Sequence, residues 1–246
     1  MKYNKQILGG LMVLGFLVPQ LMFAAGTPGI GSGDKFCNNL DAFLTKADSN
    51  LSARETKRDG NIADREANLV TKRTAKDQKV SDNRAAALLK QDARFTEAMN
   101  KATTPAQKQA LSTFQATVKS LVSTRQSAVD SARNNFRTGV DQLINNKESN
   151  INSLIDTMKT SISDAVATAK TSCASGADKA TVKSTLKTSV ENAHSTFKTA
   201  IQNLTSVSDA SKALAQTRDA AIQTANDTFK NALEAARITL KNTLGN

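Results

Sequence analysis

Downstream of Gly33 the chain has few places where a helix must end: Gly60, Gly139, Gly176 and Gly245 are the only glycines and Pro105 the only proline. A strand-rich fold reverses often and draws on Gly, Pro, Asn or Asp at each reversal, so this scarcity of breakers selects helices. Three tracts are predicted, at about 34–102, 105–173 and 178–244. Thr104 reads as a helix N-cap with Pro105 at the first helical position, Ala174-Ser175-Gly176 as a stop, and Asp178 as the next start. Near-equal tracts of about 67–69 residues joined by short loops pack up-down-up. The expected fold is all-α: an elongated antiparallel three-helix bundle over residues 34–246, with nearly straight helices of roughly 100 Å at 1.5 Å per residue.

The only two cysteines bear on this fold. Cys37 lies 67 residues before Thr104 and Cys173 lies 69 after it. A chain that reverses at Thr103-Thr104-Pro105 brings the two thiols together, and one intramolecular disulfide is then the expected pairing. Two unpaired buried thiols are the bland alternative, and an intermolecular bridge is a further one. The N-terminus supplies a reason for oxidation. Lys2 and Lys5 precede an apolar run from Ile7 to Val18, and small residues near positions 24–26 offer a cleavage site. Residues 1–25 therefore read as an export signal and 26–33 as a flexible linker, with a periplasmic, cell-surface or extracellular destination where disulfides persist. An uncleaved N-terminal anchor is the rival reading.

Helical periodicity marks the seam. In the second tract Leu111, Phe114, Val118, Leu121, Val129, Ala132, Phe136, Val140, Leu143, Ile151, Leu154, Met158, Ile162 and Ala165 follow one another at helical spacings. A short pattern recurs within this framework. Arg125-x-x-Ala128-Val129-x-x-Ala132-x-x-x-Phe136 is repeated as Arg218-x-x-Ala221-Ile222-x-x-Ala225-x-x-x-Phe229, with a weaker copy at Arg84, Ala87, Leu88 and Phe95. The expected role is packing, with phenylalanine in the core and the arginine stem along the seam. Phe95 and Phe114 flank the first turn and are expected to be neighbours.

Residues 52–84 stand apart. Their apolar content is thin, and Arg54, Lys57, Arg58, Arg65, Lys72, Arg73, Lys76 and Lys79 are interleaved with acids. A solvated helix with local ion pairs explains such a stretch, with Gly60-Asn61 as a candidate kink. The functional reading is a docking surface for an acidic partner, because a helix that buries little of itself is marginal without one. Net charge points the same way. Without Lys2 and Lys5 the chain keeps 31 basic against 22 acidic residues, which favours an acidic protein, an acidic wall polymer or an anionic membrane surface. Specific nucleic-acid recognition is not expected, since no binding motif with interleaved aromatics is present.

Little in the sequence suggests catalysis. His194 is the sole histidine, there is no Cys-x-x-Cys, and no phosphate loop or dinucleotide fingerprint occurs. No catalytic residue, metal ligand or cofactor is assigned. Asn50-Leu51-Ser52, Asn203-Leu204-Thr205 and Asn226-Asp227-Thr228 match the N-glycosylation pattern but fall within predicted helices. The functional expectation is a non-enzymatic exported protein acting as a binding scaffold, spacer or client-holding protein. A membrane-active or lipid-binding amphipathic bundle is the alternative.

Overall fold

A computed structural model describes residues 35–245; the proposed signal segment, the linker and Asp34 lie outside the described residues. The chain is all-α. After a short 3-10 turn at Cys37–Asn39 come α1 (Leu40–Lys101), α2 (Pro105–Ala174), α3 (Lys179–Gln202) and α4 (Val207–Leu244). Among the described residues, 35–59 together with 141–211 form one compact unit, and 60–140 with 212–245 form a second. Each is a three-helix packing, made from α1, α2 and α3 in the first unit and from α1, α2 and α4 in the second.

The helix ends follow from local chemistry. At the start of α2 the Thr104 hydroxyl accepts the Gln107 N–H at 3.2 Å, while Gln107 Oε1 accepts the backbone N–H groups of Thr104 and Thr103 at 3.2 and 2.9 Å. This capping box satisfies donors that a bare helix start leaves orphaned, and Pro105 sits where no N–H is needed. At the end of α2, Gly176 adopts φ 77°, and the N–H groups of Gly176 and Ala177 return to the carbonyls of Cys173 and Ser172. That left-handed closure requires glycine. Asp178 then caps α3 by accepting the Thr181 hydroxyl and N–H, each at 2.8 Å, and these bonds, the hydroxyl's first, hold its carboxyl below the usual range.

The third tract departs from expectation. It is divided at Asn203–Ser206, where the Asn203 N–H closes α3 on Thr199 and the Ser206 hydroxyl accepts the Asp209 N–H to open α4. Ser and Asn favour helix ends because their side chains bond the local backbone in place of the helical ladder. At Gly60, by contrast, the helical assignment of α1 is continuous.

The first unit carries the dense core. Leu40 and Leu51 from α1, Met158, Ile162, Val166 and Ala169 from α2, and Val182, Leu186, Val190 and Ala193 from α3 form one buried cluster, closed at its end by Phe36. Cys37 and Cys173 lie beside it at disulfide distance, with Cα atoms 5.9 Å apart. The predicted α2 seam is buried or half-buried at every position.

The second unit is thinner. Its fully buried apolar residues among those described are Val118, Ala132, Val140 and Ala215, and α1 buries no side chain completely after Leu51. Phe95 and Phe114 meet edge to face at 5.9 Å, as expected of neighbours across the first turn.

Within this unit α2 and α4 are antiparallel, and the sequence repeat shows why. Arg218 lies over the Phe136 ring at 4.6 Å, and Arg125 lies over Phe229 at 5.3 Å while donating to Asn226 at 2.7 Å. Each copy thus lends its arginine to the other copy's phenylalanine. The guanidinium groups lie over rings of the neighbouring helix, with Arg125 exposed and Arg218 half-buried. Close approach is kept by Gly139, where a Cβ would meet the Leu214 methyls at 2.9–3.0 Å.

Candidate functional site

Charge is sorted between the two units. Among the described residues, 60–140 and 212–245 carry 19 Lys and Arg against 10 Asp and Glu, whereas 35–59 and 141–211 carry 12 against 11. A surplus of nine charges therefore belongs to the second unit and a surplus of one to the first.

The ion pairs sharpen that asymmetry. Across α1 and α2 of the second unit, Asp77 takes Arg137 at 2.6 Å and Arg133 at 3.4 Å, and Asp92 takes Lys119 at 2.9 Å. Moving up α1 from Asp77 to Asp92 moves the partner down α2 from Arg137 to Lys119, which fixes the antiparallel register. The first unit uses the same polarity, with Glu55 on Lys159 at 2.7 Å and Asp41 on Lys170. Hydrogen bonding from Arg137 and Lys119 holds the Asp77 and Asp92 carboxyls below their ordinary range. Only Arg84, bidentate to Asp130 at 2.7 Å, reverses the direction among these bridges. On α4 the carboxylates Asp219, Asp227 and Glu234 are paired locally with Arg218, Lys230 and Arg237. Much of the second unit's negative charge is consumed by cations other than those of α1.

What α1 retains is a row of cations. At 100° per residue, Arg65, Lys72, Lys76, Lys79, Lys90 and Arg94 fall within an arc of about 60°, on the opposite flank from Asp77 and Asp92. All six are exposed, and none is engaged in an ion pair among the described residues. The row spans about 43 Å of helix at 1.5 Å per residue. Asn61 and Asn83 share the arc. Glu97 also falls in it but is bridged to Lys101 at 2.6 Å.

The eight cations expected from sequence thus separate. Arg65, Lys72, Lys76 and Lys79 stand together. Arg73 turns toward α2, half-buried and adding to the field on Asp77. Arg54, Lys57 and Arg58 belong to the first unit, where Arg58 is largely covered and tied to Asp59 at 2.8 Å. Lys90 and Arg94 lie beyond the densely charged stretch that ends at residue 84, and only their helical phase joins them to the row.

Other chemistry is sparse. The described residues contain no group of three or more His, Cys, Asp and Glu side chains placed to hold a metal ion, and no described helix is long and apolar enough to cross a membrane. A shallow polar groove in the first unit is lined by Asp48, Ser52, Lys159, Thr160 and Ser163. Asn203 lies exposed at the break after α3 rather than inside a helix, whereas Asn50 and Asn226 are helical.

His194 is half-buried on α3. Desolvation, and then the nearby Arg54 charge, push its pKa below the ordinary 6.5. The folded state therefore binds fewer protons than the unfolded state in the window just below 6.5, and stability is lost as pH falls through it. Urea midpoints of the wild type are expected to drop between about pH 7 and pH 5.5, and His194→Gln is expected to flatten that part of the profile. Equal slopes in the two proteins would dismiss the assignment.

Comparison of the chain with protein-family models, with curated proteins and with solved structures gives no match.

Proposed function

We propose that this protein is an exported, non-enzymatic helical scaffold that holds an acidic partner through its second unit. The observation that carries this reading is the segregation of charge: one unit is nearly neutral and densely packed, while the other holds a surplus of nine and packs thinly. A nearly neutral unit with a strong core suits a support. A cationic unit whose α1 buries no complete side chain gains most from being covered. Export is supported by the charged and apolar N-terminal pattern and by the two cysteines at disulfide distance.

The test is binding of the chain from residue 26 onward to a polyglutamate surface over a salt series. Retention at about 50 mM salt and release by about 500 mM is the expected result, because cations that neutralise a polyanion release its counterions. Retention that does not change with salt would remove the charge-led mechanism.

A further inference from the structure

The cation row on α1 has a geometry that narrows the partner. It is straight, follows one helix, and lies opposite the side chains that fix α1 to α2. Exposed lysine ammonium groups on flexible stems act as point charges without directional readout, so they suit a ligand that repeats its charge along a line. Three rivals fit less well. A membrane surface would call for apolar side chains among the cations, and the arc has none; the exposed Val70, Leu88 and Leu89 fall about 80–120° outside it around the helix. A single-stranded nucleic acid would call for aromatic platforms, and the arc carries no aromatic residue. An acidic helix would call for an apolar strip flanked by charge, which the same absence removes.

The neutral residues on the same arc add a positive argument. Asn61 and Asn83 are exposed on the arc, Asn83 in the long interval between Lys79 and Lys90. A side-chain amide both donates and accepts, which matches the hydroxyl groups of a sugar.

Resting on the function proposed above, we infer that the row Arg65, Lys72, Lys76, Lys79, Lys90 and Arg94 is the binding track for an acidic polysaccharide, laid along α1 with its carboxylates on the cations and its hydroxyls on the amides of Asn83 and Asn61.

The experiment compares two triple variants of the chain from residue 26 onward. One removes the centre of the row (Lys72→Gln, Lys76→Gln, Lys79→Gln). The other removes equal charge from the same unit but from α2 and α4 (Lys108→Gln, Lys230→Gln, Lys241→Gln). Each is titrated with polygalacturonate, with polyglutamate and duplex DNA of similar length as rival polyanions, and with neutral dextran; circular dichroism confirms equal helicity. The row variant is expected to lose at least tenfold in affinity for polygalacturonate and about three units of salt slope, with the control variant within about twofold of wild type. Asn83→Leu is expected to weaken polygalacturonate and leave polyglutamate unchanged. Equal losses in the two triple variants would overturn the track while leaving the second unit as an anion binder. Row-dependent binding of polyglutamate or DNA without polygalacturonate would overturn the polysaccharide but not the acidic partner. No binding to any polyanion at low salt would overturn both.

Discussion

Replacing both Cys37 and Cys173 by serine is expected to lower the unfolding free energy by up to about 5 kcal/mol, the largest effect of any change considered for this molecule. The bridge spans a sequence separation of 136 residues. Cross-linking so distant a pair removes loop-closure entropy from the unfolded chain, and the chain-entropy model gives about 5 kcal/mol for a loop of this size. Helical structure surviving in the reduced unfolded chain lowers that figure, since a partly ordered loop has less entropy to lose. The native state contributes a second term. The bridge holds the 3-10 turn at Cys37–Asn39 against the end of α2, where Phe36 and Leu40 enter the core. Urea unfolding of the variant, and of the wild type with and without reductant, checks this. An unchanged midpoint on reduction would mean that Phe36, Leu40 and the α2 seam fix the end of the hairpin unaided.

The second large effect is a contrast between leucines. Leu186→Ala is expected to cost about 2–5 kcal/mol, because Leu186 is 4% exposed within the cluster shared by α1, α2 and α3 and its removal opens a cavity. Leu89→Ala is expected to change stability by no more than about 0.5 kcal/mol, since Leu89 is 72% exposed. The contrast extends to the backbone. Amide exchange in α1 is expected to be slowest near Leu40 and Leu51 and faster across residues 60–101, where few apolar contacts resist local opening. Adding a ligand that occupies the cation row should slow exchange there. Uniformly strong protection of residues 60–101 in the free protein would remove the reason to invoke a partner.

Much of this was readable before any coordinates. The scarcity of Gly and Pro gave the helical class, Thr104-Pro105 gave the first turn, and the position of the cysteines around it gave the pairing. Each signal is local and strong, resting on residues with few conformational options. The break at Asn203–Ser206 was missed because it contains neither Gly nor Pro. Its signal was distributed over Asn203, Thr205, Ser206, Ser208 and Asp209, residues tolerated singly within helices and decisive only in combination. The charged stretch is plain in the sequence, but its organisation is not. Which cations pair and which stand clear depends on the rotation of α1 against α2, set by contacts such as Asp77 with Arg137 that join residues 60 apart. The division of net charge between units was hidden for a related reason: each unit is assembled from separate stretches of sequence.

The reciprocal stacking of Arg125 on Phe229 and Arg218 on Phe136 also bears on alignment. In both copies arginine and phenylalanine are separated by the same interval, so two antiparallel helices read each other with one ruler. If α4 slid by a single turn against α2, both guanidinium groups would leave their rings together, and the Leu214 methyls would leave the space opened by Gly139. Small apolar residues along a seam tolerate such a slip, since one alanine replaces another at little cost. Two matched keys cut to the same pattern do not, and they give a lightly filled helix pair a single setting.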